Sequence, residues 1–251
     1  MPRSLSLRGS WGKITHYRGR FFTMYGSDPM GMLTWRFQQD KAGMGVLGDI
    51  MSHVTDMAHM LVGPIKRLVS HRHTFITERP LPIPGQGTHF SVGKPEDPTG
   101  PVENEDYASA LVEFESGIQG TFETCRAIFG PKCEMAFEIN GTKGALKWNF
   151  ERMNELELYL PGAGDDYDGY MTLLGTPRYG DYSRFNPGDG LSMAYEDLKV
   201  IEAHNFLMSI ADGKQRAPSF ADALALANVQ SAMAKSWESG TWEEIPNLRF
   251  E

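Results

Sequence analysis

The sequence predicts an α+β fold. In the middle of the chain, residues 107–114, 118–126, 133–140 and 145–150 are short, β-friendly and separated by turns. Before them, residues 47–61 carry apolar side chains at helical spacing, and after them helical patterns cover 195–212 and 219–238. Consecutive strands joined by short turns pair antiparallel, so a mostly antiparallel sheet flanked by helices is expected.

Each element has its own reason. Residues 14–23 carry Ile14, Tyr17, Phe21 and Phe22 among polar residues and are expected as a strand. Gly26, Asp28-Pro29 and Gly31 then break the chain into a loop. Helix 47–61 is stopped by Gly63-Pro64, since glycine suits the cap and proline cannot continue. Residues 68–77 alternate as a strand. Residues 78–105, rich in Pro and Gly with little apolar content, are expected as a long surface loop, a length that is usually functional or mobile. Ser116-Gly117 and Asn140-Gly141 supply hairpin turns because Gly and Asn tolerate positive φ. Residues 156–160 add a strand, and 161–191 a second long loop. Ser219 is the expected N-cap of the last helix, with Asp222 near its positive end, and Gly213 and Gly240 fit the two helix C-termini. All of this is expected in a single domain, residues 1–251.

Composition excludes several classes. A chain of 251 residues buries a full core, and its apolar content of 41% is that of a globular protein. A net charge of -8 argues against nucleic acid as partner. No apolar run approaches a membrane span, and residues 1–7 have no apolar stretch of a secretory signal, so a cytoplasmic location is expected. Two cysteines, Cys125 and Cys133, make neither a disulfide framework nor a zinc set, and are expected as buried small apolar groups.

The chemistry concentrates in Gly45-Val46-Leu47-Gly48-Asp49-Ile50-Met51-Ser52-His53-Val54-Thr55-Asp56. On a helix, Asp49, His53 and Asp56 fall at i, i+4 and i+7 and share one face. Two carboxylates and an imidazole on one stripe suit proton transfer or metal ligation. Gly43-x-Gly45-x-x-Gly48 matches the letters of a dinucleotide fingerprint, but it follows a polar loop rather than a strand and lacks the ribose-binding acid. It is therefore not read as a cofactor site.

This segment resembles the Asp-x-x-x-His helix of the Gfo/Idh/MocA oxidoreductases, the glucose–fructose oxidoreductase and inositol dehydrogenase superfamily. Gly12-Lys13-Ile14-Thr15-His16-Tyr17-Arg18-Gly19-Arg20 resembles the first strand of that family's second domain, and Leu33-Thr34-Trp35-Arg36-Phe37 its Trp-Arg loop. Phe137-Glu138-Ile139-Asn140-Gly141-Thr142-Lys143-Gly144 resembles its Asn-Gly hairpin, and Pro218-Ser219-Phe220-Ala221-Asp222-Ala223 the start of its last helix. The resemblance runs from about Gly9 to Ile245. It implies an open, mostly antiparallel sheet with helices packed on one face, without the family's NAD(P)-binding Rossmann domain. His53 would be the acid/base acting on a sugar or polyol hydroxyl, Asp49 its partner, and Trp35 and Arg36 the pocket lining. NAD or NADP would be the cofactor of the parent enzyme, bound by a Rossmann-domain partner and not by this chain alone. The sheet's open face, if apolar, would be covered by another copy in a homo-oligomer.

Blander readings compete. Without the resemblance, His53 reads as a core histidine satisfied by the backbone. Asp56 suits a structural hydrogen bond, and Met51, Met57 and Met60 suit core filling. His59, His71 and His73 read as surface or sheet residues, and Asp165-Asp166-Tyr167-Asp168 as a solvated loop. Two functional alternatives stand beside the dehydrogenase. One is a non-redox sugar-binding or scaffold protein. The other is a cofactor-independent or metal-assisted carbohydrate isomerase or lyase, with Asp49, His53 and Asp56 as conceivable ligands for Zn or Mn. Because the cofactor carries the redox chemistry, the isolated chain is expected not to oxidise a sugar.

Overall fold

A computed structural model describes residues 12–82, 91–162 and 168–246. In chain order the elements are β1 (Ile14–Thr23), a 3-10 turn (Trp35–Phe37), α1 (Gln39–Ala42), α2 (Met51–Leu61), β2 (Ile65–His73), β3 (Glu78–Pro80) and β4 (Thr99–Pro101). Then follow β5 (Tyr107–Phe114), β6 (Gln119–Cys125), β7 (Cys133–Gly141), β8 (Gly144–Asn149), β9 (Glu155–Tyr159), β10 (Met171–Leu174), α3 (Tyr182–Phe185), α4 (Tyr195–Asp212), α5 (Phe220–Ser239) and β11 (Glu243–Glu244). The strands form one nine-stranded sheet in the order β10-β9-β8-β7-β1-β6-β5-β2-β11, and β3 pairs with β4 apart from it. The pairings β10–β9, β9–β8, β11–β2, β2–β5 and β5–β6 are all antiparallel. This is the α+β architecture the sequence predicts.

The chain divides into two compact units, one of Tyr17–Phe137 with Ala225–Glu251, the other of Met1–His16 with Glu138–Leu224. In the first, alternation along β1 turns Tyr17, Gly19, Phe21 and Thr23 inward and Arg18 and Arg20 outward. Tyr17 meets Phe114 and Phe122 edge-on at 6.2 and 6.0 Å and stacks on Phe137 at 6.3 Å. Helix α2 buries Met51, Val54, Thr55 and Ala58. Gly19 has no side chain, so Val54 lies where a Cβ would be only 2.8 Å away, and the helix closes down on the strand. Helix α5 buries Val229, Ala232, Met233 and Ser236. Ser70 ties it to β2: its N–H donates to Ser236 Oγ at 3.0 Å and its hydroxyl to the Met233 carbonyl at 2.8 Å. The register pairs Leu68 with Val112 and Ala110 with Phe122 on this covered face. On the opposite face, Val69 pairs with Leu111, and Ser109 with both His71 and Glu123. That face mixes polar and apolar side chains, and a cavity of about 470 Å³ lies over it, lined by Arg18, Arg20, His71, Tyr107, Leu111 and Glu123.

In the second unit, Ala145, Leu146, Leu156 and Leu158 are buried between β8 and β9. Asn154 fastens the chain near α4: Oδ1 accepts from the Met193 N–H at 2.9 Å and the Tyr182 hydroxyl at 3.1 Å, and Nδ2 donates to the Met193 carbonyl at 2.9 Å.

Several expectations need correction. Residues 46–50 form turns, and the α-helix begins at Met51. Strand β2 starts at Ile65 and ends at His73, because Gly63-Pro64 ends the helix and pairing with β5 begins at once. The stretch 78–105 is not all surface loop: it holds β3 and β4, and Arg79 (through its Nη groups), Asn104 and Glu105 are buried with polar partners inside. The second loop contains β10 and α3. Asn140-Gly141 ends β7, and the turn moves on to Thr142-Lys143, where Lys13 N–H donates to Thr142 Oγ1 at 3.1 Å and Thr142 N–H to the Lys13 carbonyl at 2.9 Å. Cys133 is exposed, since its strand begins there, and Met60 points outward from the last turn of α2. Of the acidic run, Asp168 is exposed and 165–167 lie outside the described residues, as do residues 1–7. The expected caps at Ser219, Gly213 and Gly240 are present: the Asp222 N–H donates to Ser219 Oγ, and both glycines have φ of 66°.

Candidate functional site

The site is built on a buried polar frame in the first unit. Arg126 and Asp106 are 1% and 0% exposed at their side chains and pair through Nε and Oδ1 at 2.8 Å. Arg126 also donates from Nη2 to Asn104 Oδ1 at 2.8 Å and from Nη1 to the Arg36 carbonyl at 3.0 Å. Asn104 donates to the same carbonyl at 2.9 Å. Asp106 Oδ2 accepts from the Phe75 and Ile76 N–H groups at 3.0 and 3.1 Å. A second buried arginine, Arg79, donates to the carbonyls of Asp28 at 2.7 Å and Gly31 at 3.3 Å, and to that of Gly26. Burial chiefly lowers its pKa, Asp106 opposes that, and the Arg126 charge adds to the lowering. The two guanidinium carbons lie 4.1 Å (Arg79) and 4.4 Å (Arg126) from the Phe37 ring centre. The backbone of Trp35-Arg36-Phe37 is thereby fixed from several sides.

Glu105 sets the approach to α2. Its Oε1 accepts from the Leu47 N–H at 2.9 Å and its carbonyl from the Val46 N–H at 3.1 Å. A Cβ on Gly45 would overlap that carbonyl, so glycine is required at this contact. The chain then coils: Asp49 N–H donates to the Gly45 carbonyl at 3.1 Å, and the Ile50 and Met51 N–H groups to that of Val46 at 3.0 and 2.8 Å. Asp49 thus stands on a helical turn although α2 starts two residues later.

The two supports bring Asp49 Oδ2 within 3.0 Å of Arg36 Nη1 and 3.2 Å of the Tyr25 hydroxyl, which both donate to it. The Arg36 guanidinium lies 4.7 Å from the Trp35 ring centre and 6.0 Å from that of Tyr25. Trp35 is 53% exposed, and Arg36 and Asp49 are about one-third exposed, so the group borders solvent. The Tyr25 phenol is pushed up to about 12, chiefly by burial, with Arg126 lowering it and Asp49 raising it. His53, one turn beyond Asp49, is exposed, its ring 5.5 Å from that of Phe21 in an edge contact. It is not a histidine sealed in the core.

Of the four residues singled out in the sequence, Trp35, Arg36 and Asp49 meet in space, and His53 follows on the same helical path. Tyr25 had no motif or spacing to mark it. Nor did Arg79, Asn104, Asp106 and Arg126, which the sequence did not mark as buried. Asp56 is exposed. Among the described residues no group of three or more His, Cys, Asp or Glu could hold a metal ion, and His71 and His73 lie exposed on β2. The Gly43-x-Gly45-x-x-Gly48 stretch does not fit a dinucleotide: Gly45 is packed on Glu105 and cannot cradle a pyrophosphate.

Residues 3–147 match the GFO/IDH/MocA C-terminal domain. The chain belongs to the Gfo/Idh/MocA family. It is 35% identical over 240 residues to levoglucosan dehydrogenase of Pseudarthrobacter phenanthrenivorans, covering 96% of this chain and 62% of that protein. A structure of levoglucosan dehydrogenase in complex with NADH and L-sorbose superimposes with a TM-score of 0.87 at 34% identity, over 95% of this chain and 61% of the other. An oxidoreductase domain protein from Kribbella flavida gives a TM-score of 0.86 at 34% identity, covering 97% of this chain and 62% of that one. This Gfo/Idh/MocA chain therefore spans about three-fifths of the length of the relatives it matches. No helix among the described residues is long and apolar enough to cross a membrane.

Proposed function

We propose that this chain is the substrate domain of an NAD(P)-dependent sugar or polyol dehydrogenase, with His53 as general base and Asp49 as its partner. The supporting observation is Asp49, held by Arg36 and Tyr25, one helical turn before the exposed His53. Neutral imidazole takes a hydroxyl proton near neutral pH, and a neighbouring carboxylate favours the imidazolium that results. With Oδ2 committed to Arg36 and Tyr25, Asp49 offers Oδ1 to a second sugar hydroxyl. Trp35 supplies a flat apolar wall for a sugar ring, and Arg36 fixes the polar edge beside it. Relatives crystallised with levoglucosan and with L-sorbose support a sugar as the substrate class.

In this reading a Rossmann domain holds NAD or NADP against the substrate carbon, because the cofactor carries the hydride chemistry. A homo-oligomer formed through the open sheet face is part of the same reading. The test is calorimetric titration of the chain with levoglucosan and L-sorbose, followed by an NAD-dependent assay. Sugar binding that is weakened by Asp49→Asn, and no turnover until a Rossmann domain is supplied, is the expected result. Turnover by the pure chain, or sugar affinity indifferent to Asp49, would end the proposal.

A further inference from the structure

Residues 175–190, in the second unit, form a closed loop. The Gly190 N–H donates to the Gly175 carbonyl at 3.2 Å, so the two ends meet. The Gly175 N–H donates to the Asn154 carbonyl at 2.8 Å, and a Cβ on Gly175 would overlap the Tyr182 ring, so the loop closes down on its own aromatic side chain. Inside it the Tyr179 N–H donates to the Thr176 carbonyl at 3.0 Å, and the buried Asn186 side chain donates to the Leu191 carbonyl. A long loop tied at its ends and packed on its own side chains is a frequent carrier of function.

The loop and β10 line a cavity of about 330 Å³, with Thr172, Leu174, Thr176, Arg178, Tyr179 and Asp189 on its wall. That volume is at the small end of ligand sites, which run from about 300 to 1,000 Å³. Thr176 is 9% exposed, and its hydroxyl has no hydrogen-bond partner among the described residues. A buried hydroxyl left in that state is costly unless something else satisfies it. Arg178 and Asp189 are exposed. Within the same loop Arg184 pairs with Asp181 at 3.6 Å, yet among the described residues neither Arg178 nor Asp189 is in an ion pair. The Arg178 guanidinium lies instead 5.8 Å from the Tyr179 ring centre.

The chemistry of the wall selects its occupant. One arginine and one aspartate leave the wall without net charge, which favours a neutral molecule over an ion. A carboxylate only accepts hydrogen bonds and a guanidinium only donates them, whereas a hydroxyl does both. Adjacent hydroxyls of one molecule can therefore donate to Asp189 and accept from Arg178, and a further one is the partner that Thr176 lacks. Leu174, 52% exposed, offers an apolar surface to the carbon skeleton. We propose that this cavity binds a neutral polyol, of the size of one sugar ring, through Thr176, Arg178 and Asp189. The site shares no residue with the Asp49 group and does not depend on the dehydrogenase reading.

The experiment titrates the isotope-labelled chain with levoglucosan, L-sorbose and glycine, and follows the backbone amide resonances by NMR. The expected result is saturable shifts at residues 172–179 and 189–190 with a sugar and none with glycine. Asp189→Asn and Thr176→Val each weaken that binding about tenfold, and Asp49→Asn leaves it unchanged. Thr176→Val does so without lowering Tm, because valine fills the space and has no hydroxyl to satisfy; a merely structural threonine would lose stability and leave affinity alone. Shifts confined to the surroundings of Asp49 overturn the loop site and leave the dehydrogenase reading standing. Shifts confined to the loop support the loop site and count against that reading, and no shifts with either sugar overturn both. Shifts in the loop with glycine in place of the sugars, or sugar affinity indifferent to both loop variants, overturn the proposal.

Discussion

At the scale of single residues, Asp49 is the centre of the proposed site because two donors of different kind converge on one of its oxygens. A guanidinium pairs with it, and a phenol fixes its orientation. Asp49→Asn should weaken sugar binding about tenfold, the equivalent of about 1.4 kcal/mol, in a calorimetric titration. His53→Ala should leave affinity within about twofold but lower kcat by about 10²- to 10⁴-fold once a cofactor domain is supplied. Tyr25 yields a separate test. Its folded pKa of about 12 stands above the ordinary 10, so burial favours the neutral phenol. The stability this contributes is fully present below pH 10 and is lost as pH rises towards 12. Melting curves of the protein and of Tyr25→Phe should therefore converge as pH rises from 10 to 12, and the variant should lack one late-titrating tyrosine in alkaline absorbance.

At the scale of elements, the site depends on segments that touch neither substrate nor each other in sequence. Removing Arg126 strands a buried Asp106 carboxylate, so Arg126→Met should cost about 3–5 kcal/mol in a denaturant titration. Gly45→Ala forces the turn before α2 away from Glu105 and should cost about 1–3 kcal/mol. Retained stability in either variant would show that the frame relaxes around the change. Most strands and the long helices were legible because periodicity and turn chemistry are local. The short elements were not: β3, β4, β10 and β11 are two to four residues long and exist by pairing with distant partners. The same holds for Asp49, whose helical turn was legible but whose place just outside α2 is set by Glu105, 56 positions away along the chain.

At the scale of the whole molecule, the covered and uncovered faces of the sheet have different chemistry. In the first unit the uncovered face carries Arg18 and Arg20 on β1, Leu111 on β5 and Glu123 on β6, and the proposed homo-oligomer would cover it. An oligomer through this face should be seen by light scattering and should revert to monomer in Arg18→Glu with Leu111→Asp. A wild-type monomer at all concentrations would remove that assembly from the account.

The amino-acid order alone was sufficient for the α+β class and the Gfo/Idh/MocA family, and it singled out Trp35, Arg36 and Asp49, which meet in the candidate site, together with His53. These rest on short-range features: alternation, helical spacing, caps, and motifs a few residues long. What needed the folded chain was the set of contacts made across long separations. Tyr25 reaches Asp49 only because Arg79 and Arg126 hold two loops together, and those arginines are buried only because carbonyls and carboxylates from remote segments meet them inside. Burial of a charge is a property of the surroundings, and no single stretch of sequence contains its surroundings.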